Sequence, residues 1–140
     1  MKSSGERTFV LARTAYARLV AHAWGAVPAE AVGLLAGVVG GRATVAFPLK
    51  NLGGQRAFIA DPRSQFEAER EIRRAGLAPL AVYHSHPGGG IGLSQVDLDF
   101  ARKRPLLQLI VALPEDGTVE QAAAYRIDGT SVTKLRLEID

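Results

Sequence analysis

The stretch Pro79-Leu-Ala-Val-Tyr83-His84-Ser-His86-Pro87-Gly88-Gly89-Gly90 constrains the fold more than any other part of the chain. Its first half is apolar and β-prone, which predicts a buried strand over 79–86. Strand side chains alternate between faces, so His84 and His86 project to the same side. Pro87 withdraws a ladder donor and three glycines release the backbone, so the strand ends where the two imidazoles can meet a shared ion. A structural strand end rarely wants two polar rings on one face beside an apolar run, and a metal site accounts for both.

Ser94-Gln-Val-Asp97 follows and supports two compatible readings. It opens a helical stretch to about residue 104 as a capping box with Ser94 as N-cap. Asp97 can also bring a carboxylate to the histidines, and the glycine-rich connection lets it fold back that far. Asp99 would face differently on a helix and is the weaker candidate. Neutral imidazole plus carboxylate suits zinc, and three protein ligands leave a fourth tetrahedral position open, as in catalytic sites. Ligand identity alone does not separate zinc from Fe(II) in a two-His, one-carboxylate triad.

The absence of cysteine excludes disulfides, thiolate nucleophiles and Cys-ligated zinc. A chain of 140 residues, 47% hydrophobic and 22% charged, suits a single domain spanning 1–140. The net charge of +3 is spread without an aromatic-interleaved basic stripe, which disfavours nucleic-acid binding. Arg102-Lys103-Arg104 reads as cations closing a helix. The apolar runs are short and broken by Gly, Pro or Arg, so no secretory signal or membrane span is expected and the expected location is the cytoplasm.

Local pattern predicts a strand at 7–12 and a helix at 13–25 with Tyr16, Leu19, Val20 and Ala23 on one face. His22 on that helix reads as a solvated or half-buried surface residue. Two β-like runs, 30–39 and 42–50, flank a Gly40-Gly41 turn, and a short strand is expected at 55–60. Asp61-Pro62 caps and opens a helix that stops at Gly76. Three further strands lie near 106–113, 118–127 and 131–139, with turns at Glu115-Asp116-Gly117 and Asp128-Gly129. Residues 88–93 serve either as a mobile rim or as a tight connection.

His84-x-His86-Pro87, six residues, then Ser94-x-x-Asp97 resembles the signature of the JAMM metalloproteases, also called the MPN-plus or Mov34 family. That family carries an upstream Glu-x-x-Gly-x-Leu-x-Gly segment, and Glu30-Ala-Val-Gly33-Leu-Leu35-Ala-Gly37 fits it. On its own Glu30 is a polar residue near a strand start, solvated by default. The resemblance, which covers nearly the whole chain, implies an α/β domain with a curved, mainly antiparallel sheet flanked by helices. It implies that His84, His86 and Asp97 ligate zinc, that Glu30 holds and deprotonates the attacking water, and that Ser94 stabilises the oxyanion. The implied substrate is a peptide or isopeptide at the C-terminal tail of a ubiquitin-like or sulfur-carrier protein, added as a strand to a sheet edge. Two alternatives stand beside this one: a non-catalytic scaffold or binding module of MPN type, and a non-haem iron enzyme.

Overall fold

A computed structural model describes residues 8–53, 59–103 and 106–140. In chain order the elements are β1 (Thr8–Leu11), α1 (Arg13–Ala26), β2 (Val32–Gly37), β3 (Ala43–Leu49), α2 (Pro62–Arg74), β4 (Ala78–Pro87), α3 (Gln95–Lys103), β5 (Leu107–Leu113), β6 (Gln121–Asp128) and β7 (Ser131–Ile139). Residues 55–58 of the expected short strand lie outside the described residues, as does Arg104. Ala60 forms only an isolated bridge to Asn51.

Each element follows from its local chemistry. Asp61 accepts a hydrogen bond from the Arg63 amide and Pro62 occupies the first helical turn, so α2 starts there. It ends before Gly76, whose φ of 74° is the left-handed conformation that stops a helix. Gly40, at φ 80°, turns β2 into β3.

The sheet is not simply curved. Its seven strands close into a barrel in the order β1-β3-β2-β4-β5-β6-β7, β7 pairing back to β1. β2–β3, β2–β4, β5–β6 and β6–β7 are antiparallel. β1–β3, β1–β7 and β4–β5 are parallel. The sheet is mainly antiparallel as expected, but the expectation of a curved sheet does not include closure, which joins segments distant in sequence that local alternation does not encode. β1 meets β3 only at Leu11 and Ala43, so beyond Ala43 the outer side of β3 is not paired with another strand among the described residues.

α1 packs on one face of the sheet, where Leu19 and Ala23 meet Ala81, Tyr83, Leu109 and Val111. α2 covers the opposite face through Ala68 and Ile72 against Val32, Leu34 and Val82. β4, α3 and β5 form a parallel crossover unit, and this places the start of α3 over the carboxyl end of β4.

Candidate metal centre

β4 delivers the two histidines as its alternation requires. Tyr83 faces the α1 core, whereas Val82 and His84 face the other way, and His84 is fully buried. From the crossover, Asp97 reaches both rings. Its Oδ1 lies 3.0 Å from His84 Nε2 and its Oδ2 3.2 Å from His86 Nε2, while the two Nε2 atoms are 3.2 Å apart. Glu30 completes the group: one donor atom each from Glu30, His84 and His86 lie within 4.8 Å of one another. Asp99 is turned away to solvent and bonds Gln95 and Arg102.

The protonation pattern shows what the cluster wants. His86 Nδ1 is 2.8 Å from the Gly90 carbonyl, which can only accept, so Nδ1 carries the hydrogen. A neutral His86 then directs the lone pair of Nε2 at an Asp97 oxygen and at His84 Nε2. Lone pairs at such distances repel unless a proton or a cation lies between them. Burial works against the charged form of His86, but Asp97, Gly90 and Glu30 outweigh it and raise its pKa. Burial lowers that of His84, with Asp97 opposing. Burial alone would raise Asp97, yet hydrogen bonds from His84, His86 and Ser94 hold its carboxyl well below the usual carboxylate range. An ionised carboxylate and two imidazole nitrogens around one point call for positive charge, and this donor set is able to hold a metal ion.

Ser94 and Asp97 form the capping box read from the sequence. The Ser94 amide donates to Asp97 Oδ2 at 2.8 Å, and the Asp97 amide donates to Ser94 Oγ at 3.1 Å. The same contacts fix the carboxylate under the histidines. Ser94 itself remains exposed.

Three positioning residues escaped the sequence reading. Ser85, between the histidines, points to the opposite face, where its Oγ accepts from the Ala31 amide at 2.8 Å and its amide donates to the Ala31 carbonyl at 3.0 Å. This clamp sets Glu30 against β4. Asn51 Nδ2 donates to the Glu30 carbonyl at 2.8 Å, while Asn51 Oδ1 accepts from the Gly53 and Ile59 amides. Tyr83 lies over Gly33, where any Cβ would overlap its Cε2, Cζ and hydroxyl, and its hydroxyl meets His22 Nδ1 at 2.6 Å. His22 is half-buried as expected, but it has a partner 61 positions away in sequence that no local pattern reveals. The signal for Ser85 was available: the middle residue of His-x-His must face away from the two imidazoles.

Residues 88–93 are tied down as a connection. The Gly88 amide donates to the Leu113 carbonyl, Tyr125 Oη donates to the Ile91 carbonyl at 2.6 Å, and Ile91 and Leu93 pack against Ile110 and Ala123.

Burial raises the Glu30 carboxyl above its ordinary value, with His86 opposing and Asp97 reinforcing. A carboxyl tuned upward beside two imidazoles is suited to proton exchange.

The chain and its fold are similar to those of known proteins. The family model of prokaryotic homologs of the JAB domain matches residues 12–127. A probable TtuB-protein conjugate cleaving protease from Thermus thermophilus is 37% identical over 84 residues, a match covering 60% of this chain and 57% of that protein. A protein from Desulfitobacterium hafniense, solved in solution, superposes with TM-score 0.83 at 30% identity over 94% of this chain and 92% of that one. A JAB1/MPN domain protein from Archaeoglobus fulgidus, 20% identical, shares the fold with TM-score 0.62 over 94% and 98% of the two chains. The chain belongs to the JAMM/MPN family, among the prokaryotic homologs of the JAB domain.

Proposed function

We propose that this protein is a zinc-dependent hydrolase that cuts a peptide or isopeptide bond at the C-terminal tail of a ubiquitin-like or sulfur-carrier protein. The observation that carries the proposal is the convergence of His84 Nε2, His86 Nε2 and both Asp97 oxygens within 3.0 to 3.2 Å, with Glu30 alongside. The Thermus relative, named for cleaving TtuB-protein conjugates, supports a conjugate as the substrate kind.

His84, His86 and Asp97 would hold the zinc, which when bound supplies a Lewis acid for the scissile carbonyl and acidifies water at neutral pH. Glu30 accepts the proton of the attacking water and passes it to the departing amine as the C–N bond breaks. Burial raises its pKa, which strengthens it as the acceptor of the water proton. Ser94 Oγ uses an acceptor position for the Asp97 amide, which leaves its hydroxyl hydrogen available to the developing oxyanion. Ser85 and Asn51 keep Glu30 in place from either side of its peptide.

Elemental analysis of protein purified without added metal, beside a His84→Ala variant, tests the centre. About one zinc per chain, lost in the variant, is expected. Cleavage of a ubiquitin-fold protein extended through a Gly-Gly tail is then expected of the wild type alone. Absence of zinc binding even on addition of the ion would refute the proposal, and iron in its place would move the protein to the oxygenase class.

A further inference from the structure

A second feature lies next to the centre, and the chemistry above does not use it. A cleft of about 310 Å³ runs between the end of α1 and the ends of β4 and β5, walled by Trp24, Pro28, Pro87, Leu113 and Pro114, with Glu115 at the rim. Pro87 directly follows His86, and Pro28 is two residues from Glu30, so the cleft opens beside the site at the end of β4, on the α1 side of that strand where Leu113 packs. Glu115 lies along the Gly88 backbone, where a Cβ would sit 2.9 Å from its Oε1, and a side chain at 88 would push the carboxylate aside. No described cation pairs with Glu115.

An apolar trough with an indole on one wall and an unpaired carboxylate at its mouth complements a side chain with an aliphatic stem and a cationic head. The position of Glu30 says which part of a substrate reaches it. Glu30 hands its proton to the departing amine, so the chain bearing that amine leaves past Glu30, and Pro28, two residues away, lines the cleft. We propose that the cleft is the leaving-side subsite and takes a lysine or arginine of the chain released with the amine. The assignment rests on the hydrolase reading. Water supplies hydroxyl to the carbonyl and a proton to the amine, and the basic side chain takes no part in the bond change.

Trp24 is the chain's one tryptophan, and at 37% exposure it reports on the cleft whether or not a bond is cut. The test titrates blocked pentapeptides with central Lys or Glu against the fluorescence of the wild type, Glu115→Gln and Glu115→Lys. Alongside it, a ubiquitin-fold protein is fused through Gly-Gly to peptides carrying Lys or Glu two residues after the scissile bond. The Lys peptide is expected to shift Trp24 emission and to bind about fivefold more tightly than the Glu peptide, with the preference lost in Glu115→Gln and reversed in Glu115→Lys. The kcat/KM values of the fusions are expected to follow the same order. An unmoved Trp24, equal responses to the two peptides, or a Lys preference that survives in Glu115→Lys overturns the subsite. A normal Trp24 response with no fusion cleaved overturns the hydrolase reading and the leaving-side role with it, while the cation-binding cleft stands.

Discussion

Gly33→Ala is expected to be among the most damaging small substitutions in the chain. A methyl at 33 would come closer than 3.0 Å to three atoms of Tyr83, a separation that real Cβ atoms essentially never show. Tyr83 cannot yield easily: it is fully buried, its backbone pairs with Gly33 itself, and His22 holds its hydroxyl at 2.6 Å. Overpacking of this kind costs about 1 to 3 kcal/mol. Several clashing atoms on a pinned ring argue for the upper end, offset by roughly 0.5 to 1 kcal/mol that alanine returns by restricting the unfolded chain. A net loss near 2 kcal/mol lowers the melting temperature of a domain this size by roughly 6 °C. Urea and thermal unfolding followed by circular dichroism would measure it, with Tyr83→Val and the double variant completing a cycle. Removing the ring leaves room for the methyl, so the double variant should lose clearly less than the two single losses combined. A Gly33→Ala protein within about 0.5 kcal/mol of wild type would refute the reasoning, as would simple additivity.

Other outcomes follow from the site. Glu30→Gln keeps the size of the side chain but not its basicity, and turnover is expected to fall about 10² to 10⁴-fold while zinc content stays unchanged. Ser94→Ala removes the hydroxyl that accepts from the Asp97 amide, with an expected loss of about 1 kcal/mol in unfolding experiments and a fall in kcat on the order of 10²-fold. Ser94→Thr should restore the stability. Burial pushes His22 below its ordinary value of 6.5, with Arg18 reinforcing, so the unfolded chain takes up that proton first. Its contribution to stability is complete above about pH 6.5 and declines as pH falls toward the lower folded value. In His22→Gln the drop in urea midpoint between about pH 7 and about pH 5 should be shallower than in wild type.

The histidine-bearing strand β4 was legible because period-two alternation and a Pro-Gly stop are local properties, and His84 and His86 occupy the predicted face. Asp97 was legible through the capping box, which fixes its spacing from Ser94 whatever the tertiary fold. Glu30 was not legible from its own surroundings and entered only through the motif around it. The structure supplies the physical reason for both glycines of that motif: Gly33 is bare because Tyr83 crosses it, and Gly37 because the Arg42 carbonyl lies against it. Helix and strand boundaries came close, as in α2, because Asp61, Pro62 and Gly76 act on adjacent backbone groups. Barrel closure and the His22–Tyr83 contact stayed hidden because both join segments far apart in sequence.

The pairing of β1 with β7 has a consequence for how the molecule is made. Thr8 to Leu11 align with Arg136 to Ile139, and the Asp140 amide and carbonyl bond the Leu11 carbonyl and the Arg13 amide. During synthesis β1 emerges well before its partner β7 and waits for it. β2 to β6 and the helices can assemble into a nascent layer while β1 still presents bare amides and carbonyls, a state open to mispairing with another chain. Contacts so distant in sequence also slow folding. The closing segment acts as a latch whose arrival pairs β1 along its length, so slowing translation just upstream of residue 131 should lengthen the interval in which a second chain can intrude.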